Sequence, residues 1–266
     1  MTGPAGTYSR AEFTVPSRKI PISGAAVVAA AALVILSAPA GAQGSRVAPV
    51  GHAPQSAVQR SVQPSNSDCI QFDQSANQDG LAIISQNFES GFDQYDSQAA
   101  DDFAVTKNCK GQAKATAKSI MVSNVTAFGI YFNGSGPVDS FNVTFYANRH
   151  SAPGRVVKQC DSQPYTSNAQ GGFQIDLAKI DNPKATCVKK DLKLQPKTVY
   201  WVSVQANMDF SAGGEWGWNT VTSGTGTPAM WENPGDGFGS GCTTYTTLTA
   251  CIANGEGGNL AFQILR

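Results

Sequence analysis

The chain predicts an all-β fold: a jelly-roll-like β-sandwich of two antiparallel sheets, stapled by disulfides. Three observations carry this. Apolar residues recur with a period of two, short alternating runs are separated by Gly- and Pro-rich turn signals, and no stretch after the N-terminal apolar run sustains the period of an amphipathic helix. Many short strands, each hiding one face from water, are satisfied by two packed layers.

Taken in order, "DSFNVTFYAN" sets Phe141, Val143 and Phe145 on one face and Asn142, Thr144 and Tyr146 on the other. "GGFQIDL" alternates Phe173, Ile175 and Leu177. In "TVYWVSVQANM" Tyr200, Val202, Val204 and Ala206 oppose Val199, Trp201, Ser203 and Gln205, and "NLAFQIL" alternates Leu260, Phe262 and Ile264. Turn chemistry separates these runs: "NGSGP" from Asn133, "APGR" from Ala152, "DNPK" from Asp181 and "LQPK" from Leu194.

Ahead of the strands stands an address. Arg10, Arg18 and Lys19 precede an apolar run from Ile22 to Leu36, and Ala40-Gly41-Ala42 fits the small-x-small pattern of signal cleavage. Residues 1–42 therefore read as a signal peptide, with an alanine-rich, bacterial character. The run falls short of the roughly 20 residues a spanning helix needs, so no stable membrane insertion is expected after its removal. Residues 43–68 are rich in Ser, Gln, Ala and Pro and read as a flexible leader; 69–266 read as a single β-sandwich domain. All six cysteines, Cys69, Cys109, Cys160, Cys187, Cys242 and Cys251, lie in that domain, as suits a secreted protein, extracellular or periplasmic. Spacing ranks Cys242 with Cys251 first and Cys160 with Cys187 next, which leaves Cys69 with Cys109.

Without residues 1–42 the chain holds 16 basic and 18 acidic residues. So balanced a surface excludes no fold but argues against a nucleic-acid partner, which needs a clustered basic face. Chemistry is equally sparse. His52 lies in the leader and His150 in the turn "ANRHSAPG", with no orienting carboxylate assignable to either, and neither G-x-S-x-G nor H-E-x-x-H occurs. Glycoside hydrolysis by two of Asp209, Glu215, Glu232 and Asp236 is the remaining catalytic reading, and the weaker one, because Asp236 belongs to the turn "NPGDG" and Asp209 lies just ahead of a glycine pair that Glu215 follows. The sequence thus predicts no enzyme.

Two constellations suggest binding. Trp216 and Trp218 share a strand face; outward they would form a platform for sugar rings, inward they would fill the core. With Trp231 and Tyr245 they make the candidate ligand site. Asp93, Asp96, Asp101 and Asp102 are the candidate ligands of a structural calcium, although Asp101 and Asp102 should point to opposite faces of a strand.

The order of "ADDF" (Ala100–Phe103), "PG" (Pro153-Gly154) after a strand like "VTFYAN", and "WENP" (Trp231–Pro234) with Gly237, Gly239 and Cys242 before a final "LAFQI" resembles a class of secreted bacterial β-sandwich modules. The resemblance runs from about residue 85 to 266 and implies a galactose-binding-like jelly roll, with no activity attached. Together these readings point to an exported non-catalytic module that binds a polysaccharide or another cell-surface ligand. The alternative is a surface protein that recognises other proteins.

Overall fold

The computed structural model describes residues 47–52, 69–105, 119–168, 171–179, 182–189, 192–252 and 258–266. The expected signal segment, most of the leader and Cys109 lie outside the described residues. Along the chain run β1 (Val50–His52), β2 (Ile70–Asp73), β3 (Gln78–Ile84), β4 (Gln86–Asn87), a 3-10 turn (Asp93–Tyr95), β5 (Gln98–Ala104), β6 (Ile120–Val122), β7 (Asn124–Phe132), β8 (Ser140–Asn148) and β9 (Pro153–Gln163). There follow β10 (Tyr165–Ser167), β11 (Gly172–Asp176), β12 (Leu192–Leu194), β13 (Val199–Asn207), α1 (Phe210–Gly213), β14 (Glu215–Val221), β15 (Met230–Glu232), β16 (Thr246–Thr247), α2 (Leu248–Cys251), β17 (Asn259–Leu260) and β18 (Phe262–Leu265).

The expected sandwich forms. A nine-stranded sheet is ordered β1-β3-β14-β7-β11-β10, with β17 on β14 and β18 between β7 and β2. A seven-stranded sheet is ordered β16-β15-β5-β13-β8-β9, and β6 pairs β12 separately. Pairing is antiparallel except for β4 beside β13 and an isolated bridge from Ala178 to Val188. The period-two pattern is realised in β8, where Phe141, Val143 and Phe145 are fully buried. They meet the inner face of the opposite sheet: the Phe141 ring lies 5.0 Å from Trp216 and 5.6 Å from Phe173, and Phe103 lies 6.3 Å from Phe262. Such edge-on aromatic pairs add to area burial.

β14 departs from half-buried alternation, since all seven of its residues are buried. It lies inside the large sheet, with β3 on one side and β7, followed by β17, on the other. Trp216 and Trp218 do share a face, and it points inward. Trp201 instead sits in a smaller cluster with Ala100 and Met230, flanked by Tyr146 and Tyr245.

Disulfides join Cys242 to Cys251 and Cys160 to Cys187, as spacing ranked them. Cys69 is also disulfide-bonded. The leader needs one correction. Its described part is not free: β1 pairs β3 through Val50–Ile83, Gly51–Ala82 and His52–Leu81. An apolar run too short to build a core can still be ordered when it completes a sheet edge. Among the described residues no helix is long and apolar enough to cross a membrane.

The two core tryptophans differ in one respect. Trp218 Nε1 donates to the Ala261 carbonyl at 2.8 Å, whereas Trp216 Nε1 has no hydrogen-bond partner among the described residues. Replacing each by Phe removes similar volume, but only Trp218 forfeits a hydrogen bond. Trp218→Phe is therefore expected to be the more destabilising by about 1 kcal/mol. Urea unfolding of the two variants checks this, and the reverse order would refute it.

Candidate functional site

The sequence named Trp216, Trp218 and Trp231 as candidate ligand residues and set an outward platform for the first two against a place in the core. All three are fully buried, which removes them from the candidate site. Trp231 Nε1 donates to the Ile84 carbonyl at 2.8 Å, and its ring packs 5.8 Å from Phe238 as part of the core. None of these indoles offers a face to a sugar. Tyr245, half-buried beside the outer cluster, shares its hydroxyl with Tyr146 at 3.4 Å and donates to Gln98 Oε1 at 3.2 Å. Burial, together with the negative charge of nearby groups, pushes its pKa well above the usual tyrosine value. The four proposed ligand residues are therefore split between core and outer face.

What the same region does build is a cleft. Phe92, Tyr95, Phe210 and Phe238, with Val47 and Pro49, line an open hollow of about 550 Å³. The four rings are half-buried. Phe92 lies 5.2 Å from Phe210 and 6.1 Å from Tyr95, and Tyr95 lies 5.2 Å from Phe238 at 67°. They come from three loop segments: the 3-10 turn, α1 and the turn after β15. In the sequence these aromatics occur without strand periodicity, in "NFESGFDQYD", "MDFSAGG" and "GDGFG". That mismatch was the signal available for them, and the tryptophans masked it.

The loops are held by buried polar ties. Asn233, fully buried, donates through Nδ2 to the carbonyls of Gln94 at 2.7 Å and Asp96 at 2.8 Å, and its Oδ1 accepts from Phe238 N at 3.2 Å. Gly237 N donates to the Gln94 carbonyl at 2.8 Å. The approach requires glycine, since a Cβ at Gly237 would stand 2.6 Å from that carbonyl oxygen and one at Gly235 2.6 Å from the Gln94 Cα. Beyond the turn, Asn233 N reaches the Cys242 carbonyl at 2.8 Å, next to the Cys242–Cys251 bridge. On the other side Glu89 accepts from Phe210 N at 2.6 Å and Ser211 N at 3.1 Å, which seats α1.

The four aspartates do not come together as calcium ligands. Asp101 is fully buried; its carboxylate accepts from Leu260 N at 2.7 Å, Asp102 N at 2.8 Å and Gln74 Nε2 at 2.9 Å. Asp102 accepts from Thr227 N at 3.0 Å, and Asp96 from Phe88 N at 2.8 Å. Asp93 opens the 3-10 turn and is exposed. Among the described residues no group of three His, Cys, Asp or Glu side chains could hold a metal ion. Each aspartate that is buried or half-buried ties backbone instead of facing its neighbours.

The carboxylates considered for hydrolysis are dispersed too. Glu215 begins β14 in the large sheet and Glu232 ends β15 in the small one. Asp236 accepts from Gly241 N at 2.8 Å within its turn, and the Asp209 carbonyl accepts from Gly213 N. Glu215 is fully buried and accepts from Ala48 N at 2.7 Å and from Asn133 Nδ2.

No family model, curated protein or solved structure matches the chain.

Removing Asn233 deprives the Asp96 carbonyl and the Phe238 N–H of their Asn233 bonds and leaves the Gln94 carbonyl with Gly237 N alone. Asn233→Ala is expected to destabilise the domain by roughly 2–4 kcal/mol. Amide exchange over 93–96 and 237–239 should accelerate more than in β13; unchanged exchange there would refute the tie.

Burial raises the pKa of Glu215 to about 7, pushes that of Asp101 well above its ordinary value, and raises those of Asp102, Asp96 and Glu232. Glu89 goes the other way: slight burial pushes it up, but backbone N–H groups outweigh that and hold it down. Raised groups make the folded state hold more protons than the unfolded chain, so their stability is present in acid and is lost as pH rises toward 7 and beyond. The domain should be more stable, and melt at a higher temperature, at pH 5 than at pH 8, with about 1–3 kcal/mol of the stability difference from Glu215. Glu215→Gln should flatten that part of the profile. A profile that rises with pH would contradict this assignment.

Proposed function

We propose that this chain is an exported, non-catalytic binding module whose ligand site is the aromatic cleft of Phe92, Tyr95, Phe210 and Phe238, and that its ligand is a carbohydrate. The observation that carries the reading is four partly exposed rings gathered from separate loops into one hollow. Rings left partly in water are costly for a small domain unless something covers them. Indifferent loops would not be stapled by a fully buried asparagine and a disulfide; a site that must recognise a shape is.

Aromatic faces suit the axial C–H faces of pyranoses, and rings tilted against one another favour a single sugar unit held on two sides over a flat chain on a platform. The carboxylates support a non-catalytic role, since the buried ones serve backbone N–H groups and sit on different sheets. The disulfides suit an oxidising compartment, in line with export.

The test is depletion of the purified chain by a panel of insoluble polysaccharides and cell-wall preparations. Retention on one polymer should fall about tenfold or more in Phe92→Ala and in Phe238→Ala, a loss of roughly 1.4 kcal/mol each. Retention that ignores both substitutions, or no retention on any polymer, would overturn the carbohydrate reading.

A further inference from the structure

The segment Val47–His52 is seated on the domain as a bound peptide would be. It adds a strand to the outer edge of β3, and the Ile84 N–H donates to the Pro49 carbonyl at 3.1 Å ahead of the paired residues Val50, Gly51 and His52. Ala48 N is held by Glu215 Oε1 at 2.7 Å. The backbone bends at Pro49 before β1 begins, so that Val47 and Pro49 ahead of the strand and Gly51 within it each meet the domain. Val47 and Pro49 enter the aromatic cleft. Gly51 lies against the Phe132 ring, so closely that a Cβ would stand 2.3 Å from Cδ1 and 2.5 Å from Cγ. Backbone pairing gives such a seat affinity, and the pockets for alternate side chains give it selectivity.

This seat is filled from far along the sequence. Sixteen residues, 53–68, separate His52 from Cys69, where the chain enters the domain. Fully extended they reach up to about 55 Å. A connection of that reach does not by itself decide which copy's groove the strand fills; linked partners typically meet at an effective concentration in the millimolar range. A segment that leaves exposes the β3 edge at Leu81–Ile84, and an unpaired edge templates another strand.

We propose that the β3 edge and the adjoining cleft form a strand-accepting groove specific for a Val-x-Pro-x-Gly segment, and that it takes this segment from a second copy of the chain. The exchange makes no new kind of contact. Each seat gains in trans the contacts it has in cis, so the balance depends on concentration and on whether the chain's own segment can dock. The inference rests on the pairing of β1 and the fit of Gly51, and stands whether or not the cleft takes a sugar.

The test uses the full chain without its leading 42 residues and its Gly51→Val variant, whose own segment cannot seat against Phe132. The probe for a second copy's segment is a labelled peptide of residues 47–54. The peptide should bind Gly51→Val at least tenfold more tightly than wild type, whose groove is filled, and a peptide carrying Val at the glycine position should bind neither. Sedimentation near millimolar concentration should show dimers for wild type and monomers for Gly51→Val. If that variant fails to fold, a wild-type chain cut at a protease site placed within 53–68 replaces it: the released segment should exchange for the labelled peptide. No peptide binding to either acceptor, or a wild type that stays monomeric near millimolar concentration, overturns the proposal.

Discussion

The fold depends on one buried crossing. At Ile84–Gln86 the chain leaves the large sheet and joins the small one, where β4 lies beside β13. Ile84, Ser85 and Gln86 are fully buried, so every polar group there must find a protein partner. Ser85 Oγ donates to the Val204 carbonyl at 2.6 Å and accepts from Ala99 N at 3.0 Å. Gln86 Nε2 donates to the carbonyls of Met208 at 2.7 Å and Gly214 at 3.2 Å, while its Oε1 accepts from Trp216 N at 2.7 Å. Two short polar side chains thereby touch β5, β13 and β14 at once, and the Ile84 carbonyl receives the Trp231 indole. Replacing them by apolar residues would leave several backbone groups of both sheets unpaired in the interior.

The candidate site inherits its position from this crossing. Residues 88–97 emerge from it, carry Phe92 and Tyr95 outward, and return as β5. Met208 and Gly214, which Gln86 holds, bracket α1 and with it Phe210. Trp231, pinned to Ile84, sets the start of the turn that brings Phe238. All four rings are thus referred to one buried point, and Asn233 and Glu89 then fix the loops to each other. This is why polar side chains at this end of the sandwich serve backbone: the loops have too little sheet of their own, and carboxylates and amides supply the missing ladder.

The architecture was legible in the sequence, because alternation in β8, β11 and β13 and the Gly- and Pro-rich turns are local signals. So were the Cys242–Cys251 and Cys160–Cys187 bridges, one closing a short loop and the other flanking a strand. The site was much less legible. Sharing a strand face told that Trp216 and Trp218 act together, but only the burial of β14 on both sides decides that they face inward. Asp101 and Asp102 drew attention as adjacent acids; their partners, Leu260, Gln74 and Thr227, lie far along the chain, and no spacing rule announces them. The leader misled for a related reason. Its composition is that of a flexible segment, and the strand within it exists only because β3 and Phe132 offer a place for it.

That dependence joins the two proposed roles of this end of the molecule. Val47 and Pro49 belong to the cleft wall and lead directly into β1, and the backbone of this segment is held by three residue pairs, the carbonyl of Pro49 and one bond to Glu215. A ligand that packs against them favours the seated strand and so the closed edge; a strand that leaves removes one wall from the cleft. Binding in the cleft and pairing at the edge therefore bias the same equilibrium, each by no more than its preference for one state. The ties that hold the loops of Phe92, Tyr95, Phe210 and Phe238 to Asn233 and Glu89 do not pass through the segment. The rigid part of the site is set by the crossing at Ser85 and Gln86, and its variable wall by a peptide that the chain itself supplies.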